Sequence, residues 1–452
     1  MSFFKKIFNG SEESETTTQT QKHSAPVASG KEVKFGRYTD CNKDKKQIAH
    51  WNNSDAKFKQ KSYVDSFEAF LHYIRDEHLD NVKIKRTGDS IEFDLIQGSK
   101  VVKGRGNAKD FSAECPIILM DNPSIPVMRK LMSLNYTLQY SKFALKENAL
   151  VMKFSSHTID ASPTKLYYAL KELATKADQQ DDLLASEFGS LKSTNTDHII
   201  VLSETEKEIK YQALISWINE TKAEISKIAD PVYLSGGIAF LLLNLAYKID
   251  YLICPQGSLT DSLERIQQMF FAQNELTTHE RNKQIIAEFD KIIAAPKEKI
   301  YEGLYNVKST FAIAVAADHR KVMDMMFNER KNVGWYRDNN YPQIVESIYS
   351  YMISYAYFNY GMVFPVTDLL NLCMHLMNKD YYEKFGATNK FIDDNKVLKA
   401  DTIKQEINRI LGKSLPEFPY VKIDVNALNF TSTTNFIDSL ILELDKLDLR
   451  KF

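Results

Sequence analysis

The stretch Val82-Lys83-Ile84-Lys85-Arg86-Thr87-Gly88-Asp89-Ser90-Ile91-Glu92-Phe93-Asp94-Leu95 decides how the first half of this chain is read. Apolar residues fall at alternate positions (Val82, Ile84, then Ile91, Phe93, Leu95) on either side of Thr87-Gly88-Asp89-Ser90. That is the pattern of a strand, a turn and a second strand, each with one face turned to a core. Val101-Val102 and the more continuously apolar Pro116-Ile117-Ile118-Leu119 supply one or two further strands.

Upstream of this stretch the period is helical. From Ser62, the residues Phe67, Phe70, Leu71 and Ile74 recur on one face, with Asp65 and Glu68 early, where the helix dipole favours acids. Residues 35–53 mix Phe35, Tyr38 and Trp51 with Lys, Asn and Asp and read as an irregular segment laid across the next domain. Downstream, Pro123 and Pro126 open a helix lined by Val127, Leu131 and Leu134. Tyr136, Leu138 and Tyr140, then Leu150, Met152 and Phe154, form a second alternating region turning at Lys146-Glu147-Asn148. Ser162-Pro163 starts the next helix, the hydroxyl as a cap and the proline where its missing N–H is harmless. Leu166, Leu170, Leu173, Ala174 and Ala177 form its buried stripe, and it is expected to run to about Phe188, with Gly189 as the stop.

The order helix, strands, helix, strands, helix predicts an α+β domain, an antiparallel sheet with helices packed on it. This order, with Ser162-Pro163-Thr164-Lys165-Leu166-Tyr167-Tyr168-Ala169-Leu170 leading to Asp181-Asp182-Leu183-Leu184, resembles the YbjN-like, type III secretion chaperone-like domain over about residues 62–190. The resemblance implies a partner-binding domain that often forms homodimers, with no catalytic residues to carry over. Secretion chaperones of this type are small, free-standing and acidic; here the domain is near neutral and is followed by some 250 further residues.

From Glu204 onward the signal is helical and resembles no family we can name. His198-Ile199-Ile200-Val201-Leu202 reads as a short buried strand in a linker over 190–203. Helices are expected around Leu214–Ile218, Val232–Tyr247, Asp261–Phe270 and Ile285–Ile293, and last from Asn435 to Asp445, with Val421, Ile423 and Val425 as one short strand. No fixed-period repeat is present, so a solenoid is not predicted. The expected organisation is a flexible leader over 1–32, an α+β domain over 33–200 and an all-helical domain over 201–452.

Composition agrees with an ordinary globular chain: 452 residues, 44% hydrophobic and 26% charged. With 58 Lys and Arg against 59 Asp and Glu, it lacks the basic field of a dedicated nucleic-acid binder. Cys41, Cys115, Cys254 and Cys373 have no metal-type spacing and read as reduced thiols of a cytoplasmic protein. Met1-Ser2-Phe3-Phe4-Lys5-Lys6-Ile7-Phe8 is a short amphipathic peptide without the apolar core of a secretory signal. Val232–Tyr247 is interrupted by Ser235, Gly236, Gly237 and Asn244, falls short of the roughly 20 residues a membrane span requires, and reads as a buried helix.

Motifs that would carry chemistry each fail at a named residue. Thr278-His279-Glu280-Arg281-Asn282-Lys283 has Lys283 where a zinc helix needs its second histidine. Gly104-Arg105-Gly106-Asn107 lacks the lysine and helix start of a phosphate loop and reads as a tight sheet connection. Ser235-Gly236-Gly237 lacks the nucleophile-elbow frame and reads as a close helix contact. His319, Cys373 and His375 are the residue types of a nucleophile–base pair, with nothing in the sequence to bring them together. No metal or cofactor is expected.

The region Trp335–Phe364 is dense in aromatics. Ile348, Met352, Tyr355 and Phe358 follow helical spacing as a core face, leaving Trp335, Tyr336, Tyr341, Tyr349, Tyr351, Tyr357 and Tyr360 as candidates for a partner-binding surface. The expected function is a non-enzymatic adaptor or chaperone-like factor of a bacterial cytoplasm. A structural subunit of a larger assembly and an enzyme with an unfamiliar helical site are the alternatives.

Overall fold

The computed structural model describes residues 33–451 apart from 123, 190, 195–197 and 389. The amphipathic peptide and the leader lie outside the described residues, as does part of the linker at 190–203.

The first part runs α1 (Lys45–Lys59), α2 (Tyr63–Ile74), β1 (Val82–Thr87), β2 (Ser90–Gln97), β3 (Lys100–Asn107), β4 (Asp110–Leu119), α3 (Ile125–Thr137), β5 (Lys142–Lys146), β6 (Ala149–His157) and α4 (Pro163–Glu187). The strands form an antiparallel sheet in the order β1-β2-β3-β4-β6-β5, and β7 (Lys192–Ser193) pairs with the end of β4. The deciding stretch is the β1–β2 hairpin: Thr87 pairs with Ser90 across Gly88-Asp89, and Gly88 has φ +55°, as a two-residue hairpin loop demands. Ile91, Phe93 and Leu95 are buried under α2 and α4, while Lys83, Lys85, Glu92 and Lys103 are exposed. One covered face and one solvated face produce the period of two.

The structure revises several expectations. Residues 45–59 are a helix, capped by a reciprocal Asp44–Gln47 box, rather than an irregular segment. Tyr136 belongs to the last turn of α3, and the strand expected there begins at Lys142. Gly104 and Gly106 sit within β3, not in a connection. A Cβ on Gly104 would come within 2.1 Å of the Phe93 ring, and one on Gly106 within 2.7 Å of Phe67, so these positions are kept bare for aromatic packing.

The second part runs β8 (Ile200–Val201), α5 (Glu204–Ser226), α6 (Ser235–Ile253), α7 (Ser258–Phe271), α8 (Thr278–Ala294), α9 (Lys297–Glu302), β9 (Tyr305–Asn306), β10 (Val315–Ala316), α10 (His319–Arg330), α11 (Val333–Asp338), α12 (Pro342–Asn359), β11 (Tyr360–Gly361), α13 (Phe364–Met377), α14 (Lys379–Lys384), α15 (Ala400–Ser414) and α16 (Thr433–Leu444). It is mainly helical, with β8–β9 and β10–β11 as two-residue pairings. Ile200 and Val201 do form a strand, but an exposed one. Val421–Val425 has no partner strand and is irregular chain. Helices α6 and α12 pack along each other at the centre, where Gly237 lets Ile344 and Tyr336 approach closely. Helix α6 is long and apolar enough to cross a membrane by length and composition, but 78% of its apolar 18-residue stretch is buried inside the fold.

The two parts exchange segments. Residues 33–43, a strap without regular structure, lie largely on the helical part: Phe35 packs among Tyr381, Tyr382 and Phe385. In return, Lys308–Phe311 docks on the sheet. Gly98 N–H donates to the Lys308 carbonyl (2.9 Å), Thr310 Oγ1 donates to the Ile96 carbonyl (2.8 Å), and the Phe311 N–H donates to Gln97 Oε1 (2.9 Å). The Phe311 ring is fully buried in the core of the α+β part, edge-on to Tyr167.

Candidate functional site

Between the parts lies a cavity of 680 Å³, lined by the strap, the C-terminal end of α6, the start of α13 and the 305–314 segment. Its size is that of a ligand cleft.

The strap enters the cleft through charged and aromatic anchors. Lys34 Nζ pairs with Asp368 Oδ1 at 2.7 Å. Arg37 donates from Nε (2.8 Å) and Nη2 (2.5 Å) to Oδ1 of Asp250, a nearly inaccessible carboxylate on α6. Burial opposes the Arg37 charge, but the charge and hydrogen bond of Asp250 outweigh it, and the guanidinium pKa is raised. Gly36 has φ +99°, and a side chain there would meet the Tyr251 ring at 2.8 Å. Asp40 closes the clasp: its Oδ2 accepts from the Tyr167 hydroxyl (3.1 Å) and its Oδ1 from the Ala312 N–H (3.0 Å).

Beside the cleft, whose lining Asp178 reaches, three acids of one helical stretch, Asp178, Asp181 and Asp182 on α4, face the Gly98-Ser99 turn and the start of α7. Fully buried Lys100 pairs with Asp181 at 2.7 Å and also donates to the carbonyls of Ile117 (2.8 Å) and Thr194 (3.1 Å). Asp178 accepts from the Ser99 N–H at 2.6 Å. One buried cation among so many acids leaves the others poorly compensated. Burial pushes Asp178 up to about 7, against the Ser99 hydrogen bond. Burial and then the Asp181 and Asp178 charges raise Asp182 to about 8, and burial with Glu264 raises Asp261 to about 6. Among the described residues no group of three or more His, Cys, Asp or Glu is arranged to hold a metal ion.

The residues weighed for catalysis have other partners. His319 Nε2 contacts the Leu444 carbonyl at 2.8 Å. Cys373 is buried, which pushes its thiol pKa up, and His375 stacks on Tyr382 at 4.3 Å, with burial pushing it down to about 4. Among the described residues no hydrogen bond joins these three. Glu280 completes a capping box with Thr277.

The aromatic candidates divide. Tyr349 is fully buried, its hydroxyl donating to Asp438 Oδ1 (2.7 Å), and Tyr351 is buried against Tyr247 and Phe240. These two are core residues and present no surface, because α12 is buried on nearly all sides. Tyr357 packs on Tyr251 with the rings tilted at 4.4 Å and, with Tyr360, lines the cleft. Trp335, Tyr336 and Tyr341 form an outward patch with Tyr233, which sequence reasoning missed. Trp335 is 44% and Tyr233 73% exposed, and Trp335 lies parallel to Tyr341 at 6.2 Å. Also missed were Arg37, Asp250, Lys100 and Asp178, which come from four distant segments and share no spacing in sequence. No family model matches the chain, and comparison with curated proteins returns no match.

Proposed function

We propose that this protein is a non-enzymatic binding factor, an adaptor or chaperone-like protein of a bacterial cytoplasm. The observation that supports it is the Tyr233–Trp335–Tyr341 patch. Trp335 meets Tyr336 edge-on at 5.1 Å, and Tyr336 is wedged against Gly237 and Phe240, so the exposed rings are held before any partner arrives. Rigid Tyr and Trp rings offer much contact area at low entropic cost, which is why they anchor protein interfaces. A second surface favours self-association through the α+β part: Ile125, Met132 and Tyr136 lie on one face of α3 and are 70%, 72% and 93% exposed.

The test is affinity capture of the full chain from native lysate at low salt, read by mass spectrometry. A partner recovered by the wild type and reduced at least tenfold with Trp335→Ala supports the reading. Recovery of nothing, together with a strictly monomeric mass, removes it.

A further inference from the structure

The strap occupies its groove as a bound peptide does. Among the described residues, no backbone–backbone hydrogen bond joins residues 33–43 to the rest of the fold, so the bonds that hold the strap involve side chains. The helical part receives Lys34, Phe35, Arg37 and Asn42, while Asp40 and Lys43 meet Tyr167 and Tyr73 of the α+β part, and the receiving features match a short extended sequence. An aromatic box (Tyr381, Tyr382, Phe385) takes Phe35, with ring centroids at 5.2, 4.9 and 5.3 Å. Two residues on, buried Asp250 takes Arg37. Further along, the Met362 carbonyl and the Phe364 N–H clamp the Asn42 amide from both ends, each at 3.1 Å. The strap leaves much of the groove open, since the 680 Å³ cavity runs alongside residues 33–39.

We propose that this groove is a receptor for an extended segment of a partner protein carrying an aromatic residue two positions before an arginine, and that the strap is its resident, exchangeable occupant. The partner's aromatic ring enters the Tyr381–Tyr382–Phe385 box, its arginine replaces Arg37 on Asp250, and the cavity admits side chains larger than those of the strap. A buried carboxylate without a cation is costly, so Asp250 selects against any segment lacking the arginine. The proposal rests on the protein-binding reading but not on the Trp335 patch. Loss of groove binding with Trp335-dependent capture intact sinks this proposal alone.

The probe is a fluorescein-labelled peptide of residues 33–43 carrying Cys41→Ser, titrated into the full chain by anisotropy. Because the resident strap competes, the peptide is expected to bind the Phe35→Ala/Arg37→Ala chain at least tenfold more tightly than the wild type. Peptides carrying Phe35→Ala or Arg37→Ala are expected to bind at least tenfold more weakly. Equal affinity for both chains, or indifference to the two anchors, overturns the proposal. A measurement on the wild type covers the case in which the double variant fails to fold. The same peptide with a benzophenone at position 35 is expected to crosslink within residues 381–385, and no adduct there at saturating peptide counts against the groove. A wild-type dimer that excess peptide dissolves to monomer identifies a second copy as the occupant, and also overturns the partner assigned here.

Discussion

Asp178 and Asp182 are carboxylates whose surroundings resist their charge. Pushed up to about 7 and about 8, they keep a proton in the folded protein that the unfolded chain has released from about pH 4 upward. The folded state therefore binds more protons in this window, and stability falls as pH rises through it. His375, pushed down to about 4, acts oppositely. Below about pH 6.5 the unfolded chain gains a proton that the buried ring refuses, so stability falls as pH drops. Between about pH 6.5 and 8 the aspartates act without that opposition. Urea unfolding is expected to show lower stability at pH 8 than at pH 6.5, with the difference shrinking in Asp178→Asn. A difference unchanged in that variant would show that the seam carboxylates are not its source. The Asp181-Asp182 pair is visible in sequence; the burial that gives it meaning is not, because Lys100, Ser99 and the start of α7 reach it from elsewhere in the chain.

Elements were legible wherever local chemistry sets them. The β1–β2 hairpin follows from alternation around a Gly-containing turn, and α4 begins where Ser162-Pro163 says it does. Ser162 Oγ accepts from the Lys165 N–H at 3.3 Å, and Ser162→Ala is expected to cost about 1 kcal/mol in chemical denaturation. Helix α1 was illegible because its inward face is thinly apolar: Trp51 meets Tyr73 and Phe58 meets Tyr63. Between these rings the two helices meet through buried serines, with Ser54 Oγ donating to the Ser66 carbonyl and Ser66 Oγ to that of Ser54, both at 2.8 Å. Small hydroxyls between helices leave no hydrophobic period to read. Tyr136-x-Leu138-x-Tyr140 alternated by chance: Tyr136 is 93% exposed on α3, whose C-terminal residue Thr137 lies between the first two.

Across the whole molecule, the exchange of segments was beyond the reach of sequence. Phe311 opens an apolar run that looks like part of the helical region, yet its ring completes the core of the other part. Lys34 and Arg37, near the sheet in sequence, hold carboxylates on α13 and α6. The cleft is a product of these two crossings, so its lining carries no motif. Removing the Phe311 ring is expected to cost about 3–5 kcal/mol, as for other buried phenylalanines. Because the ring is shared, that loss should lower the stability of both parts together. The three tryptophans make this measurable: Trp51 lies in the α+β part, Trp217 and Trp335 in the helical part. In equilibrium urea unfolding of a Trp217→Phe/Trp335→Phe chain, Trp51 fluorescence reads the α+β part, and far-ultraviolet circular dichroism reads the helices of both parts, most of which lie in the second. Coincident transitions that shift together in Phe311→Ala are the predicted result for one interlocked body. Two resolved transitions, with Phe311→Ala moving only one of them, would contradict it.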